Sequence, residues 1–171
     1  MENTEIFRPL RRTAQALSEE ECEKILTSQP TGILAVTGDG GYPYTVPVNH
    51  IYSGGKIYFH CAKEGHKIDA IRADNRVSFC VIAKDDVVPE KQTTAYISVI
   101  VFGRAKIIED ENELRRVALE IGRKFAADYP EECEKETEDY IARNKLCCVE
   151  IVPEHISGKA GREIIKARQK A

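Results

Sequence analysis

Residues 42–67 read YPYTVPVNHIYSGGKIYFHCAKEGHK and combine two strand patterns, a turn and a basic loop. The first pattern, over 44–52, alternates as a half-buried strand does. One predicted face carries Tyr44, Val46, Val48, His50 and Tyr52. The other carries Thr45, Pro47, Asn49 and Ile51. The Ser-Gly-Gly turn at 53–55 reverses the chain into a second strand over 56–61, so the stretch predicts an antiparallel hairpin.

Pro47 interrupts the first of these strands. Because proline has no N–H for a ladder, it predicts either a bulge or an unpaired edge position. Free backbone groups at such a place suit a flat heteroaromatic ring with polar edges, such as a flavin or a pterin. The alternative is an ordinary edge strand that happens to contain a proline. A bulge at Pro47 would shift the alternation by one residue and bring Asn49, instead of His50, to the ligand.

The loop at 63–67, KEGHK, lies between a predicted strand and a predicted helix. A helix N-terminus presents free N–H groups and a partial positive charge, and glycine allows a ligand to approach the backbone closely. Together with the cations Lys63 and Lys67, these features predict a site for a ligand phosphate. The alternative is a solvated loop that happens to be basic.

The rest of the chain adds strands and marginal helices. Ser18 and Glu21 form a capping box that begins a helix ending near Gln29. Further helices are predicted over 65–73, 112–127 and 131–144. Further strands are predicted over 32–37, 76–83, 95–108 and 145–152. Gly103 bends or breaks the third of these strands, and Pro153 ends the fourth.

These elements predict a mainly β fold, a small β-barrel with flanking helices. No linker or repeat divides the chain, so we expect a single domain over residues 1–171. Its polar start, residues 1–16, is expected to form an arm, and residues 156–171 a tail.

The composition of the chain argues against several classes of partner and function. The net charge of −3 lacks the basic excess that favours nucleic acid or a membrane surface, so we expect neither as a partner. Neither a spanning apolar run nor a secretory leader is evident, and the six cysteines form no Cys-x-x-Cys motif. We therefore expect reduced thiols in a cytoplasmic protein. Cys147 and Cys148, adjacent in a strand, should point to opposite faces.

Motifs for other chemistries are missing from the sequence. No Walker A, GxGxxG or GxSxG pattern occurs. His50 and His60 lie on neighbouring predicted strands, but Cys61 points away from His60 and no carboxylate completes a ligand set. We therefore predict no metal site.

Three quoted segments carry a family resemblance: GILA at 32–35, GGYPYTVPVN at 40–49 and IYFHCAKEGHKI at 57–68. Together they resemble the nitroimidazole-resistance (Nim) proteins, a branch of the pyridoxamine 5′-phosphate oxidase-like flavoproteins. The resemblance covers residues 8–160, including Arg11, Arg12 and ISGK at 156–159. It implies an FMN-binding split β-barrel and a homodimer with one FMN at each of two interface sites.

The resemblance also implies roles for particular residues. The strand over 45–50 would run beside the isoalloxazine ring, through Thr45, Val46, Pro47, Val48, Asn49 and His50. His60 and Cys61 would lie near the ribityl-phosphate end of the flavin. Ser98 occupies the position of a flavin-contacting glutamine in the oxidases.

The phosphate end departs from the oxidase pattern. His66 and Lys67 match an Arg-Lys pair that holds the phosphate in the oxidases. Because histidine carries less charge than arginine and lacks its bidentate fork, phosphate binding should depend on Lys63 and Lys67, beside Gly65. The oxidases' substrate-binding arginine and tryptophan are also missing, which argues against pyridoxine-phosphate oxidation.

The implied activity is an FMN-dependent reduction of a small aromatic or nitro-substituted compound. His50 is the candidate for proton delivery near the ring, because its strand borders the flavin and imidazole titrates near neutrality. The alternative for His50 is a packed histidine at the barrel rim. The alternatives for the protein are a non-catalytic flavin- or heme-binding carrier and a structural dimer whose cofactor site has decayed.

Overall fold

A computed structural model describes residues 6–168. Seven strands form one antiparallel sheet in the order β2-β1-β5-β6-β7-β4-β3. The strands are β1 Thr31–Thr37, β2 Pro43–Asn49, β3 Ile51–Ser53, β4 Lys56–Ala62, β5 Arg76–Val88, β6 Thr93–Ile107 and β7 Leu146–Ala160. The helices are α1 Glu19–Ser28, α2 His66–Ala73, α3 Glu111–Phe125, α4 Pro130–Ala142 and α5 Arg162–Arg168. The predicted mainly β class with flanking helices is confirmed.

The sheet curls like a barrel but is not closed. β2 and β3 are consecutive in the chain, separated only by His50, yet they form the two opposite edges of the sheet. β2 pairs with β1, and β3 pairs with β4. The predicted single strand over 44–52 is therefore wrong in one respect, because it divides at His50 and its two parts join different neighbours.

β7 is longer than predicted, because Pro153 does not end it. The ladder with β6 pairs Gly103 with Pro153 and then Phe102 with His155, so Glu154 is the extra residue of a bulge. A Cβ on Gly103 would lie 2.4 Å from the Val152 carbonyl oxygen, so this close approach requires glycine. Because the bulge accommodates Pro153, the ladder between β6 and β7 continues to Ala160.

The helices agree closely with their predicted positions. The Ser18 hydroxyl accepts from Glu21 N–H and the Glu21 carboxylate accepts from Ser18 N–H, which confirms the capping box of α1. α3 buries one apolar stripe and carries Asp110 as an N-cap that accepts from Glu113 N–H.

Two buried clusters lie on opposite sides of β4 and β7. The larger fills the concave side of the sheet and includes Phe59, Phe79 and Cys147. The smaller lies between these strands and α3, and includes Val117 and Cys148. Cys147 and Cys148 therefore point to opposite faces, as predicted.

The chain ends pack onto the sheet where they are described. Leu17 N–H donates to the Gly158 carbonyl, and Phe7 stacks on Phe102 with ring centroids 5.5 Å apart. Of the expected tail, residues 156–160 continue β7 and residues 162–168 form α5. The first five residues of the expected arm, and the last three of the tail, lie outside the described part of the chain.

Candidate functional site

A cavity of about 980 Å³ lies between β4 and the α3–α4 hairpin. It brings together four residues that the sequence singled out, Asn49, His60, Cys61 and Lys63. Its helical wall includes Ala118, Ile121, Phe125, Thr137 and Tyr140. Motif reasoning missed this wall, although the apolar stripe of α3 indicated that the helix packs against another surface.

β2 borders this cavity as an edge strand. Val46 and Val48 turn inward onto the core, whereas Thr45, Pro47 and Asn49 are exposed on the other face. Pro47 pairs with Ile33 in an unbroken register, so it lies on an edge strand and forms no bulge. Since β2 has a neighbour on one side only, its other side retains backbone groups without a ladder partner.

His50 lies in the core, with 0% of its surface exposed. Its Nε2 lies 2.9 Å from the Leu26 carbonyl oxygen, and its Nδ1 has no hydrogen-bond partner. Burial, reinforced by nearby Lys124, lowers the pKa of His50 to about 4. Because this pKa is low, the ring is neutral near pH 7, with the proton on Nε2, which donates to the carbonyl and links the end of α1 to the break between β2 and β3. The predicted position at an open face beside the flavin is therefore wrong, and the packed-histidine alternative describes it.

Lys124 strengthens the same junction. Its Nζ donates to the carbonyl oxygens of Gln29 and His50, at 2.8 and 3.0 Å. An α3 cation therefore satisfies two carbonyls where α1 ends and where the strand divides. These hydrogen bonds give the corner a structural role, and His50 itself presents no exposed atom to a ligand.

The loop before α2 has the form expected of a phosphate site. Gly65 occupies the N-cap position at φ 125°, and a Cβ there would meet no atom within 4 Å, so the space in front of the helix is open. The Gly65 carbonyl accepts from the N–H groups of Ile68 and Asp69. Lys63 hydrogen-bonds Asn144, while Lys67 has no ion-pair partner within residues 6–168.

His66 contacts the β1–β2 turn. Its ring stacks on Tyr44 with centroids 4.1 Å apart, and its Nε2 accepts from Asp39 N–H at 3.4 Å. A Cβ on Gly38 would lie 3.1 Å from the same nitrogen. His66 therefore braces α2 against the start of β2.

Ser98 lies away from the cavity, on β6 between Ile82 of β5 and Lys159 of β7. It belongs to the outer face of β1, β5 and β6. That face exposes 48% of Ile82, 39% of Ile100 and 40% of Phe102. Any contact of Ser98 with a ligand would have to occur on this bare apolar surface and not in the cavity.

Within residues 6–168, no three His, Cys, Asp or Glu side chains cluster as metal ligands would. None of the described helices has the length and apolar character needed to cross a membrane.

Residues 18–160 match the family model described as "Pyridoxamine 5′-phosphate oxidase". This chain belongs to that family. The resemblance stated from the sequence is therefore confirmed at the level of the family and its split-barrel fold. A search of curated proteins finds no match.

Solved structures show the same fold. A conserved hypothetical protein of Mycobacterium tuberculosis is similar at 25% identity and TM-score 0.76, over 91% of this chain and 92% of that one. A FAD-binding protein of Mesorhizobium loti is 30% identical with TM-score 0.57, over 86% and 97%. A candidate 5-nitroimidazole antibiotic resistance protein of Bacteroides thetaiotaomicron is 21% identical with TM-score 0.67, over 84% and 85%, which is a likeness of fold alone.

Proposed function

We propose that this protein binds FMN and reduces small aromatic or nitro-substituted compounds as a homodimer. The observation that carries the proposal is the open N-terminus of α2, with Lys63 and Lys67 beside it, next to the exposed edge strand β2. Family membership and the FAD-binding relative from Mesorhizobium loti support a flavin as the ligand.

The phosphate end fits the chemistry of the group. The first N–H groups of a helix lack intrahelical partners, and the backbone at Gly65 faces open space. Two ammonium groups supply opposite charge, and each charge-assisted contact stabilises a phosphate by about 1–3 kcal/mol. His66 does not contribute a cationic fork, since it is held by Tyr44 and Asp39.

The ring end fits a flat heterocycle. The exposed side of β2 offers Thr45, Pro47 and Asn49, together with backbone groups at the sheet edge. A bound flavin would supply the electron transfer, while the protein positions it and limits water at its faces. His60 is exposed at the cavity, so we assign to it, and not to buried His50, the contact with an incoming acceptor.

We propose the homodimer because apolar side chains are exposed on the outer face of β5 and β6. Ile82, Ile100 and Phe102 expose a contiguous apolar surface on β5 and β6, and monomers rarely leave such a surface in water. A second copy that covers it would form the two-fold interface expected of the family.

The first experiment identifies the ligand. The absorption spectrum of the purified protein should show an oxidised flavin, and the mass of the released cofactor should equal that of FMN rather than FAD. A colourless protein that binds neither flavin when titrated would overturn the proposal.

Lys67→Ala tests the phosphate site. We expect FMN affinity to fall by about 10- to 100-fold, because one charge-assisted contact is lost. Riboflavin, which lacks the phosphate, should bind weakly to both proteins and equally to each. Lys106→Ala, a charge-matched change at an exposed β6 position, should leave FMN binding unaltered. Equal weakening of FMN and riboflavin by Lys67→Ala would remove Lys67 from the phosphate site.

Turnover separates the enzyme from a carrier. Steady-state reduction of a nitroimidazole or a quinone by a reduced nicotinamide supports the reductase. A yellow protein that is inert to every donor favours the non-catalytic flavin carrier, for which the same binding site suffices.

A further inference from the structure

Cys61 and Cys147 face each other across the ladder between β4 and β7. Directly opposed residues of antiparallel strands share a face and have Cα atoms about 4.5–5.5 Å apart. Disulfide-linked cysteines have Cα atoms about 4.4–6.8 Å apart. The register therefore meets the backbone requirement for a disulfide between these two residues, whose thiols are free in the structure.

No other two of the six cysteines, all of which lie within residues 6–168, are ladder partners. Cys148 opposes His60, and Cys80 opposes Ile33 and Ile100. Cys22 and Cys133 lie on helices α1 and α4. Cys61 and Cys147 are 86 residues apart in the sequence (147 minus 61). They are the one pair of cysteines within residues 6–168 that face each other across a ladder.

The pair lies near three cations. A hydrogen bond with Cys61, together with the charges of Arg72, Lys63 and Lys67, lowers the pKa of Cys147 to about 7. The same hydrogen bond, followed by burial, raises the pKa of Cys61. Burial raises the pKa of neighbouring Cys148 to about 12. Cys147 is therefore the more acidic thiol of the pair and ionises first, and the thiolate is the reactive form.

Access comes from the Cys61 side. Cys61 is half-buried and packs against the larger core cluster together with Cys147, which is 4% exposed. A small oxidant could reach the pair through the end of the sheet where Lys63 begins the loop to α2. Larger thiols and proteins would be held off by the same burial.

We propose that Cys61 and Cys147 form a redox-active dithiol that reduces hydroperoxides and closes to a cross-strand disulfide. The thiolate sulfur attacks one peroxide oxygen, an S–O bond forms as the O–O bond breaks, and the leaving oxygen is protonated to water or an alcohol. The second sulfur then attacks the sulfenic sulfur, the S–S bond forms, and the hydroxyl leaves with the thiol proton as water. Two thiols lose two electrons in total and the peroxide gains them.

The proposal is independent of the flavin. The hydroperoxide supplies the oxidising equivalents, and a small dithiol such as dithiothreitol restores the pair. Both the reduction of nitro compounds and the binding of FMN could fail without any consequence for this chemistry.

The experiment uses the reduced full-length protein and hydrogen peroxide in slight molar excess. Remaining thiols are alkylated, the protein is digested, and the peptides are sequenced by fragmentation mass spectrometry, which distinguishes Cys147 from adjacent Cys148. We expect two of the six thiols to be lost, one cross-linked peptide joining Cys61 to Cys147, and recovery of all six thiols with dithiothreitol. Full alkylation of Cys61 and Cys147 after peroxide treatment, or a disulfide joining any other pair, would overturn the proposal.

Single variants sharpen the result. Cys61→Ser and Cys147→Ser should each abolish the cross-link, whereas Cys148→Ser, a change at the adjacent buried thiol, should form it at the wild-type rate. A Cys148→Ser protein that no longer forms the cross-link while retaining its thermal unfolding midpoint would contradict the assignment. If a variant does not fold, the peptide map of the wild type alone still decides the outcome.

Discussion

The outer surface of the sheet has two halves that differ in what covers them. Over β4 and β7, the α3–α4 hairpin covers the sheet: Tyr58 of β4 is 4% exposed, Cys148 of β7 0%, and Val117 on the facing side of α3 0%. Over β5 and β6, Ile82, Ile100 and Phe102 remain 48%, 39% and 40% exposed. The first half is thus covered by helices of the same subunit, whereas the second half exposes apolar side chains.

The covered half stabilises the subunit itself, and the exposed half is where we propose that a second copy associates. Apolar area removed from water stabilises a fold by about 25 cal/mol per Å², so the covered half already contributes to the monomer. The exposed apolar surface over β5 and β6 stabilises the protein in this way only when another molecule covers it. Its central positions, Cys80, Ile82, Ile100 and Phe102, carry no charge, as is typical of an interface core.

The largest expected effect follows from a charge on the bare half. Ile100→Asp should weaken dimer formation by roughly 100-fold or more, because a carboxylate would be desolvated without a partner at the centre of the interface. Sedimentation equilibrium over a range of concentrations measures the change. Tyr129→Asp, a change at an exposed site between α3 and α4, should leave the mass unaltered. A wild-type protein that is monomeric at micromolar concentration with flavin bound would refute the dimer.

A smaller effect compares the same truncation on the two halves. In the Ile100→Asp background, Ile121→Ala should lower the free energy of unfolding by about 2–4 kcal/mol, because it leaves a cavity under α3. Ile82→Ala on the exposed half should lower the free energy of unfolding by less than about 1 kcal/mol, because Ile82 is already 48% exposed in the folded subunit. Urea unfolding measures both. Similar losses at the two sites would mean that the bare half is covered within the subunit.

The last expected effect appears only at low pH and concerns His50. Its folded pKa of about 4 lies below the ordinary value of 6.5, so the unfolded chain binds more protons between these values. The stability of the wild type is then complete above pH 6.5 and falls by up to about 3 kcal/mol as the pH approaches 4. His50→Gln, which can still donate to the Leu26 carbonyl, should flatten this part of the profile. Chemical unfolding at several pH values provides the test, and an unchanged slope would mean that His50 titrates normally.

Local sequence was sufficient where neighbours along the chain determine the structure. The capping box of α1 depends on residues three apart, and the apolar stripe of α3 on residues within two turns. The alternation of Val46 and Val48 against Thr45 and Asn49 follows from the pleat of a strand, and the family followed from the three quoted segments.

Only the tertiary structure decided the placement of side chains that depend on distant partners. His50 shares the inward face of Val46 and Val48, but its contact with the Leu26 carbonyl at the end of α1 and the division of the strand there depend on the fold. Pro153 does not end β7, because Gly103 on the neighbouring strand leaves room for a bulge. The pairing of Cys61 with Cys147 requires the register of β4 on β7, which no local pattern encodes. In each case the deciding atom belongs to another element of the fold, so its effect appears only after the chain has folded.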